Sequence, residues 1–191
     1  DRYELDDILA QMISELSALH MFVYGGDKRT SDVNISNGYL GAVCSKNVNR
    51  GGFVIDHIYR TDPGYPSEMS PLARPGIKIN EGDVILAVNG VSTMDYPSIN
   101  EMLVNKADVQ VRLKLAKAGG ETYEEVVEPV NAAEYSGLRY SEWEYSRRLE
   151  TENLSEGKIG YLHLRAMGGN DYDDFVKGFY PSFGKEALII D

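Results

Sequence analysis

Few residues in this chain could do chemistry. There are three histidines, His20, His57 and His163, and one cysteine, Cys44. The histidines share no metal-ligand spacing, so no metal site and no cofactor are expected. His20 continues the apolar stripe Leu9, Met12, Ile13 and Leu16. A lone histidine at such a position is most often a hydrogen-bonded core residue. His57 and His163 fall in strand patterns and read as structural. Asp171, Asp173 and Asp174 cluster, but without the ligand spacing and glycine of a calcium loop, so helix capping and solvent exposure account for them. Two Ser-x-x-Lys matches occur, Ser155-Glu-Gly-Lys158 and Ser182-Phe-Gly-Lys185. That spacing brings a lysine beside a nucleophilic serine only on a helix. A glycine precedes each lysine and a strand pattern follows, so both read as loops.

Bulk properties narrow the function classes. The chain has 191 residues, a net charge of −11 and 42% apolar residues. An acidic chain without a basic cluster does not suit nucleic acid or an anionic membrane surface. No apolar run approaches the ~20 residues of a membrane span, so no membrane insertion is expected. No charged-then-apolar signal opens the chain, although one could have been removed upstream. One cysteine excludes an internal disulfide. The sequons Asn34-Ile-Ser36 and Asn153-Leu-Ser155 are short enough to arise by chance. Of the 13 tyrosines, those between Tyr135 and Tyr145 lie in acidic surroundings and read as packing or interface residues.

The positioning elements follow from periodicity. Residues 1–20 predict one amphipathic helix, with Asp1 and Glu4 as a capping box. Tyr39 to Ala42 precedes a strand over Phe53–Tyr59. Asp62 to Pro66 is a loop, and Ser70 to Gly76 a short helical turn. Val84 to Val88 is a buried strand, entered by Glu81-Gly-Asp83 and left by Asn89-Gly90, which tolerate positive φ. Pro97 to Lys106 predicts a short helix with Ile99, Met102 and Leu103 on one face. Val109 to Leu115 alternates as a half-exposed strand. A strand over Thr122–Val130 and a polar connector over 131–140 come next. Ser141 with Glu144 is a second capping box, opening a charged helix to about Glu152. Strand 159–164, a turn at Met167-Gly-Gly, a helix over 171–179 and strand 187–190 form a βαβ unit of a parallel sheet. Two such strands are not a domain, so a fold cut short at Asp191 is expected.

The run Gly82-Asp-Val-Ile-Leu-Ala-Val-Asn-Gly90 resembles the GDxIxxVNG signature of PDZ domains, with plausible flanking strands. Over the whole chain the order of elements resembles tricorn-type serine peptidases, in the C-terminal-processing group. Asp1-Arg-Tyr-Glu-Leu with its helix to His20, and Glu142-Trp through Lys158-Ile-Gly-Tyr-Leu-His, carry that resemblance. It implies an α+β chain: an N-terminal helix, a PDZ-like β-barrel with two short helices, then the first βαβ unit of a truncated α/β peptidase domain. The implied domains are 1–33, 34–118, a strand and connector over 119–140, and 141–191. The resemblance implies His20 as general base, with Leu19 where the family commonly has a serine. It implies Gly168 or Gly169 as an oxyanion donor, and a nucleophile beyond Asp191. It implies that Tyr39, Leu40, Gly41 and Ala42 form the loop that holds a peptide carboxylate, Ala42 being smaller than usual there. The partners implied are a peptide or protein substrate, the remainder of the catalytic domain, and self-association into a homo-oligomer. An exported location is slightly favoured over a cytoplasmic one. A non-catalytic PDZ scaffold for protein C-termini is the competing reading.

Overall fold

The computed structural model describes residues 1–28 and 35–191. It divides into two units, Asp1–Asn34 and Ile35–Asp191. The expected boundary between residues 33 and 34, and the sequon asparagine Asn34, lie outside the described residues.

The first unit holds helix α1, Arg2–Ser14. Its N-terminus is the expected capping box: Asp1 Oδ1 accepts the Glu4 N–H at 3.1 Å, and the Glu4 carboxylate takes the Asp1 amine. The helix stops six residues before His20, against the expectation of one helix over 1–20. The Ser14 hydroxyl donates to the Gln11 carbonyl at 2.6 Å. Leu16 and Ser17 then close tight turns on Ile13 and Ser14. Ser17 (φ 47°) and His20 (φ 63°) sit in the left-handed region, which a helix cannot accommodate. The apolar period ran on past Ser14 because Leu16 and Leu19 keep its spacing. The Ser14 hydroxyl, bonded back to the preceding turn, and the left-handed Ser17 mark the end of the helix instead.

The second unit is built on a mixed-order sheet of six strands. β1 (Ala42–Asn47), β2 (Gly52–Ile58), β3 (Val84–Val88), β5 (Val111–Ala116) and β6 (Thr122–Val127) lie in the order β1-β2-β3-β5-β6, with the short β4 (Val91–Ser92) returning on β3. All these neighbours are antiparallel. Val111, Leu113 and Leu115 are fully buried, while Arg112 and Lys114 point outward. That is the period-2 alternation read from the sequence. Val84, Ile85, Val88, Ile55, Ile58 and Phe53 complete the core from the neighbouring strands. Each such side chain contributes about 1.5–3 kcal/mol through burial. Asn89 and Gly90, at φ 51° and 83°, make the β3–β4 turn.

Two short elements close the barrel. Helix α2 covers Ile99–Met102, shorter than the expected 97–106, and places Ile99 and Leu103 in the core. The segment after it pairs with the start of the module: Gly38 N–H bonds the Leu103 carbonyl at 2.9 Å, and Asn37 bridges Val104. β6 pairs with β5 along its whole length, so it belongs to this sheet and not to the connecting segment over 119–140. Asp83, nearly buried at 5% exposure, locks it there. Its Oδ2 accepts the Tyr123 hydroxyl at 2.6 Å and the Asn80 N–H at 2.9 Å. Burial, then this bond to Asp83, pushes the Tyr123 phenol up, so it remains a donor.

Residues 131–140 were expected as a connector. They are instead the first turns of α3, Ala132–Leu154. The signal was present: Asn131 Oδ1 accepts the N–H groups of Ala133 and Glu134, and Glu134 Oε2 accepts the Asn131 N–H. This capping box lies ten residues ahead of Ser141, which is in the helix interior. Replacing Asn131 with alanine should lower stability by about 1 kcal/mol, read as a fall in the denaturant midpoint without a change in slope. An unchanged midpoint would place the helix start elsewhere. β7 (Ile159–Leu162), α4 (Gly169–Ser182) and β8 (Ala187–Ile190) then form the expected parallel βαβ unit, with β7 paired to β8. No described helix is long and apolar enough to cross a membrane.

Candidate functional site

The loop Tyr39 to Ala42 is fixed from both sides. Tyr39 exchanges both backbone bonds with Val130, at 2.8 and 2.9 Å. The hydroxyl of Ser70, itself fully buried, is shared between the carbonyls of Gly41 (2.8 Å) and Leu40 (3.3 Å). In a trans peptide the N–H points opposite to the C=O, and the chain has no cis bond. With the Leu40 and Gly41 carbonyls turned onto Ser70, the N–H groups of Gly41 and Ala42 therefore point away from it. The ladder agrees. Tyr59 N–H bonds the Gly41 carbonyl, so Ala42 faces Ile58 as a non-hydrogen-bonded pair and its N–H points to the open side of β1.

Among the described residues, the Leu40 and Gly41 N–H groups have no acceptor. β1 pairs only with β2 among the described strands, so its other edge is open. Gly41 has φ 70°, and a Cβ there would lie 2.3 Å from Ser70 Oγ. Glycine is required both by conformation and by space. Successive amides around such a residue form an anion-binding concavity. The side chains beside it, Leu40, Ala42 and Cys44, join the same apolar core as Ile99, Met102 and Leu103 of the α2 region. Burial, then the Asp56 charge, pushes the Cys44 thiol up to about 12, so it is no thiolate nucleophile.

The remaining candidates lie apart from this loop in sequence and role. His20 is exposed in the coil of the first unit, with no hydrogen-bond or ion-pair partner among the described residues; its ring is tilted against Phe22 at 6.3 Å. Gly168 and Gly169 belong to the second unit. Gly168 caps α4, and its N–H is taken by Asp171 Oδ2 at 2.9 Å. Asp171 Oδ1 accepts the Ala166 N–H as well, a capping role for that aspartate. Gly169 opens the helix, and its N–H has no acceptor among the described residues.

Neither Ser-x-x-Lys match is a nucleophile pair. Ser155 accepts the Ile159 N–H at 3.0 Å in the turn after α3. Ser182 is not in a loop, as expected, but ends α4 and donates to the Gly178 carbonyl at 3.0 Å. Lys185 reaches Glu152 and the Gly157 carbonyl instead of Ser182.

Sequence reasoning missed two polar clusters. His57 on β2 lies between Glu81 (3.1 Å) and Glu142 of α3 (2.8 Å), so it ties the sheet to the helix. His163 meets Tyr140 and Asp191 at the ends of β7 and β8. No spacing rule could have joined residues 57, 81 and 142, since only the sheet and α3 bring them together. Above α3, a cavity of about 720 Å3 lies between the 61–74 loop, α3, β7 and α4, lined by Arg74, Arg148, Tyr161, His163 and Lys177 among others.

The comparisons with known proteins agree with this architecture. Residues 38–132 match the family model "Tricorn protease PDZ domain". The chain is 30% identical over 189 residues to "Tricorn protease homolog 1" of Streptomyces coelicolor, covering 98% of this chain and 17% of that protein. It is 29% identical over 190 residues to "Tricorn protease homolog" of Saccharolobus solfataricus, again covering 17% of the relative. The crystal structure of the tricorn protease superposes with a TM-score of 0.84 over the whole chain and 18% of its own, at 24% identity, which shows the shared fold. The chain thus spans about a sixth of the curated relatives it matches. By this match and these relatives the chain is similar to the tricorn proteases, with residues 38–132, just under half of it, matching their PDZ domain.

Proposed function

We propose that this chain is the substrate-handling portion of a tricorn-type serine peptidase, and that its PDZ module binds the free C-terminus of a peptide. The observation that carries this reading is the Leu40–Ala42 loop. It presents backbone N–H groups without acceptors at the head of an open-edged strand. A carboxylate seated there accepts charge-assisted bonds, and the peptide chain extends β1 as an added strand. In the whole protein, acylation would run from a serine outside this chain. His20 would take the serine proton and return it to the leaving amine. The glycine turn would supply an amide to the oxyanion, and Gly169, whose N–H is free among the described residues, suits that role better than Gly168.

Calorimetry with paired peptides tests the binding claim. A peptide with a free C-terminus should bind about tenfold or more tightly than its amide, because hydrogen bonds to a charged acceptor are worth about 1.5–3 kcal/mol. Equal affinities would remove the loop as a carboxylate site.

A further inference from the structure

A second reactive constellation stands at the C-terminal ends of β7 and β8, where parallel sheets place ligands. Asp191 is held there by ladder bonds: its N–H to the Leu162 carbonyl, and the Leu164 N–H to its own carbonyl, both 2.9 Å. Its Oδ2 accepts the Tyr161 hydroxyl at 2.6 Å and lies 3.3 Å from His163 Nδ1. Burial, then the bond to Asp191, pushes the Tyr161 phenol up to about 12, so Tyr161 stays a donor. The Tyr161 bond first, and His163 after it, hold the Asp191 carboxyl below its usual range, so it stays an acceptor. On the far side of the imidazole, Nε2 is 2.6 Å from the Tyr140 hydroxyl.

Only one neutral tautomer fits. A carboxylate cannot donate, so Nδ1 carries the hydrogen toward Asp191. Nε2 then offers its lone pair, and Tyr140 donates to it. Trp143 packs edge-on against the imidazole at 5.0 Å, and the His163 side chain is only 11% exposed, so the ring is held in place. The Arg165 guanidinium, paired with Glu144 at 2.9 Å, lies 4.4 Å from the Tyr140 ring centre and holds that ring in place. Tyr140 itself is 41% exposed. Carboxylate, imidazole and an accessible hydroxyl in series are the arrangement by which a base activates a nucleophile.

We propose that Asp191, His163 and Tyr140 form a proton relay that makes the Tyr140 hydroxyl a nucleophile toward activated acyl and sulfonyl groups, and so a covalent modification site. In the step, Tyr140 Oη forms a bond to the acyl carbon or the sulfonyl sulfur. Its proton passes to His163 Nε2, and Asp191 holds the resulting imidazolium through Nδ1. The leaving group departs with the electron pair of its bond. His163 then gives its proton to the leaving group or to water, which restores the neutral ring.

The test treats the chain with an arylsulfonyl fluoride and, separately, with p-nitrophenyl acetate, and follows each tyrosine by peptide mass spectrometry. Exposure alone would favour Tyr172 and Tyr180, at 67% and 70%, over Tyr140. The relay predicts the reverse, with Tyr140 modified at least about a hundredfold faster, the low end of general-base assistance. His163→Gln should bring Tyr140 down to the rate of Tyr172. Asp191→Asn should slow it several-fold while Tyr172 and Tyr180, as internal controls of the fold, keep theirs. Tyr140 reacting no faster than Tyr172 and Tyr180, or unaffected by both substitutions, would overturn the proposal.

Discussion

In the full-length protein, replacing His20 with alanine should lower kcat/KM for peptide hydrolysis by about 10⁶-fold, with the far-ultraviolet spectrum unchanged. The argument is chemical. A serine hydroxyl is a weak nucleophile until a base takes its proton, and the loss of one member of such a set removes most of the rate. His20 suits this role because its ring is exposed and engaged by no partner among the described residues. The 191-residue chain alone should hydrolyse none of a panel of fluorogenic peptides, since the hydroxyls of Ser155 and Ser182 are committed to their own backbones. Stoichiometric acylation of Ser155 or Ser182, or an undiminished rate in His20→Ala, would require a different base.

The second large effect concerns the loop. Gly41→Val should cost about 3 kcal/mol of stability and more than tenfold in affinity for a free-carboxylate peptide. Two terms add. A β-branched residue at φ 70° is strained by roughly 1–3 kcal/mol. Its Cβ would also lie 2.3 Å from the buried Ser70 hydroxyl, which overpacks the site at a further cost of about 1–3 kcal/mol. Adding Ser70→Gly should return part of the stability, since the clash is relieved, but not the affinity. The strain would remain, and the carbonyls of Leu40 and Gly41 would lose the donor that orients them. Denaturant unfolding and calorimetry on the single and double variants check both. Unchanged affinity in Gly41→Val would mean that the loop amides do not hold the ligand.

The PDZ sheet was legible because its signals are local. Gly82-Asp83, Asn89-Gly90 and the alternation over Val111 to Leu115 each specify conformation within a few residues. Gly41 was picked out through the resemblance of its loop to that of PDZ domains. What orients it could not be, because Ser70 lies 29 positions away in sequence and reaches the loop only after β2 and the following loop are in place. The end of α1 was misplaced for a different reason. Apolar spacing continues through Leu16 and Leu19, and the period carries no information about a stop. Asn131 and Glu134 show the converse: the capping box was written in the sequence, but the polar run over 131–140, with Tyr135 and Tyr140, drew the reading toward a connector. The Asp191–His163–Tyr140 cluster joins three elements and has no linear signature.

The central claim is that the Leu40–Ala42 amides hold a peptide carboxylate, and amide resonances of the 15N-labelled chain test it most directly. On titration with a peptide bearing a free C-terminus, the account predicts that the Gly41 and Ala42 N–H signals move strongly downfield, with smaller changes along β1. The C-terminally amidated peptide should leave both signals in place. Shifts confined to other strands, or identical shifts with both peptides, would contradict it.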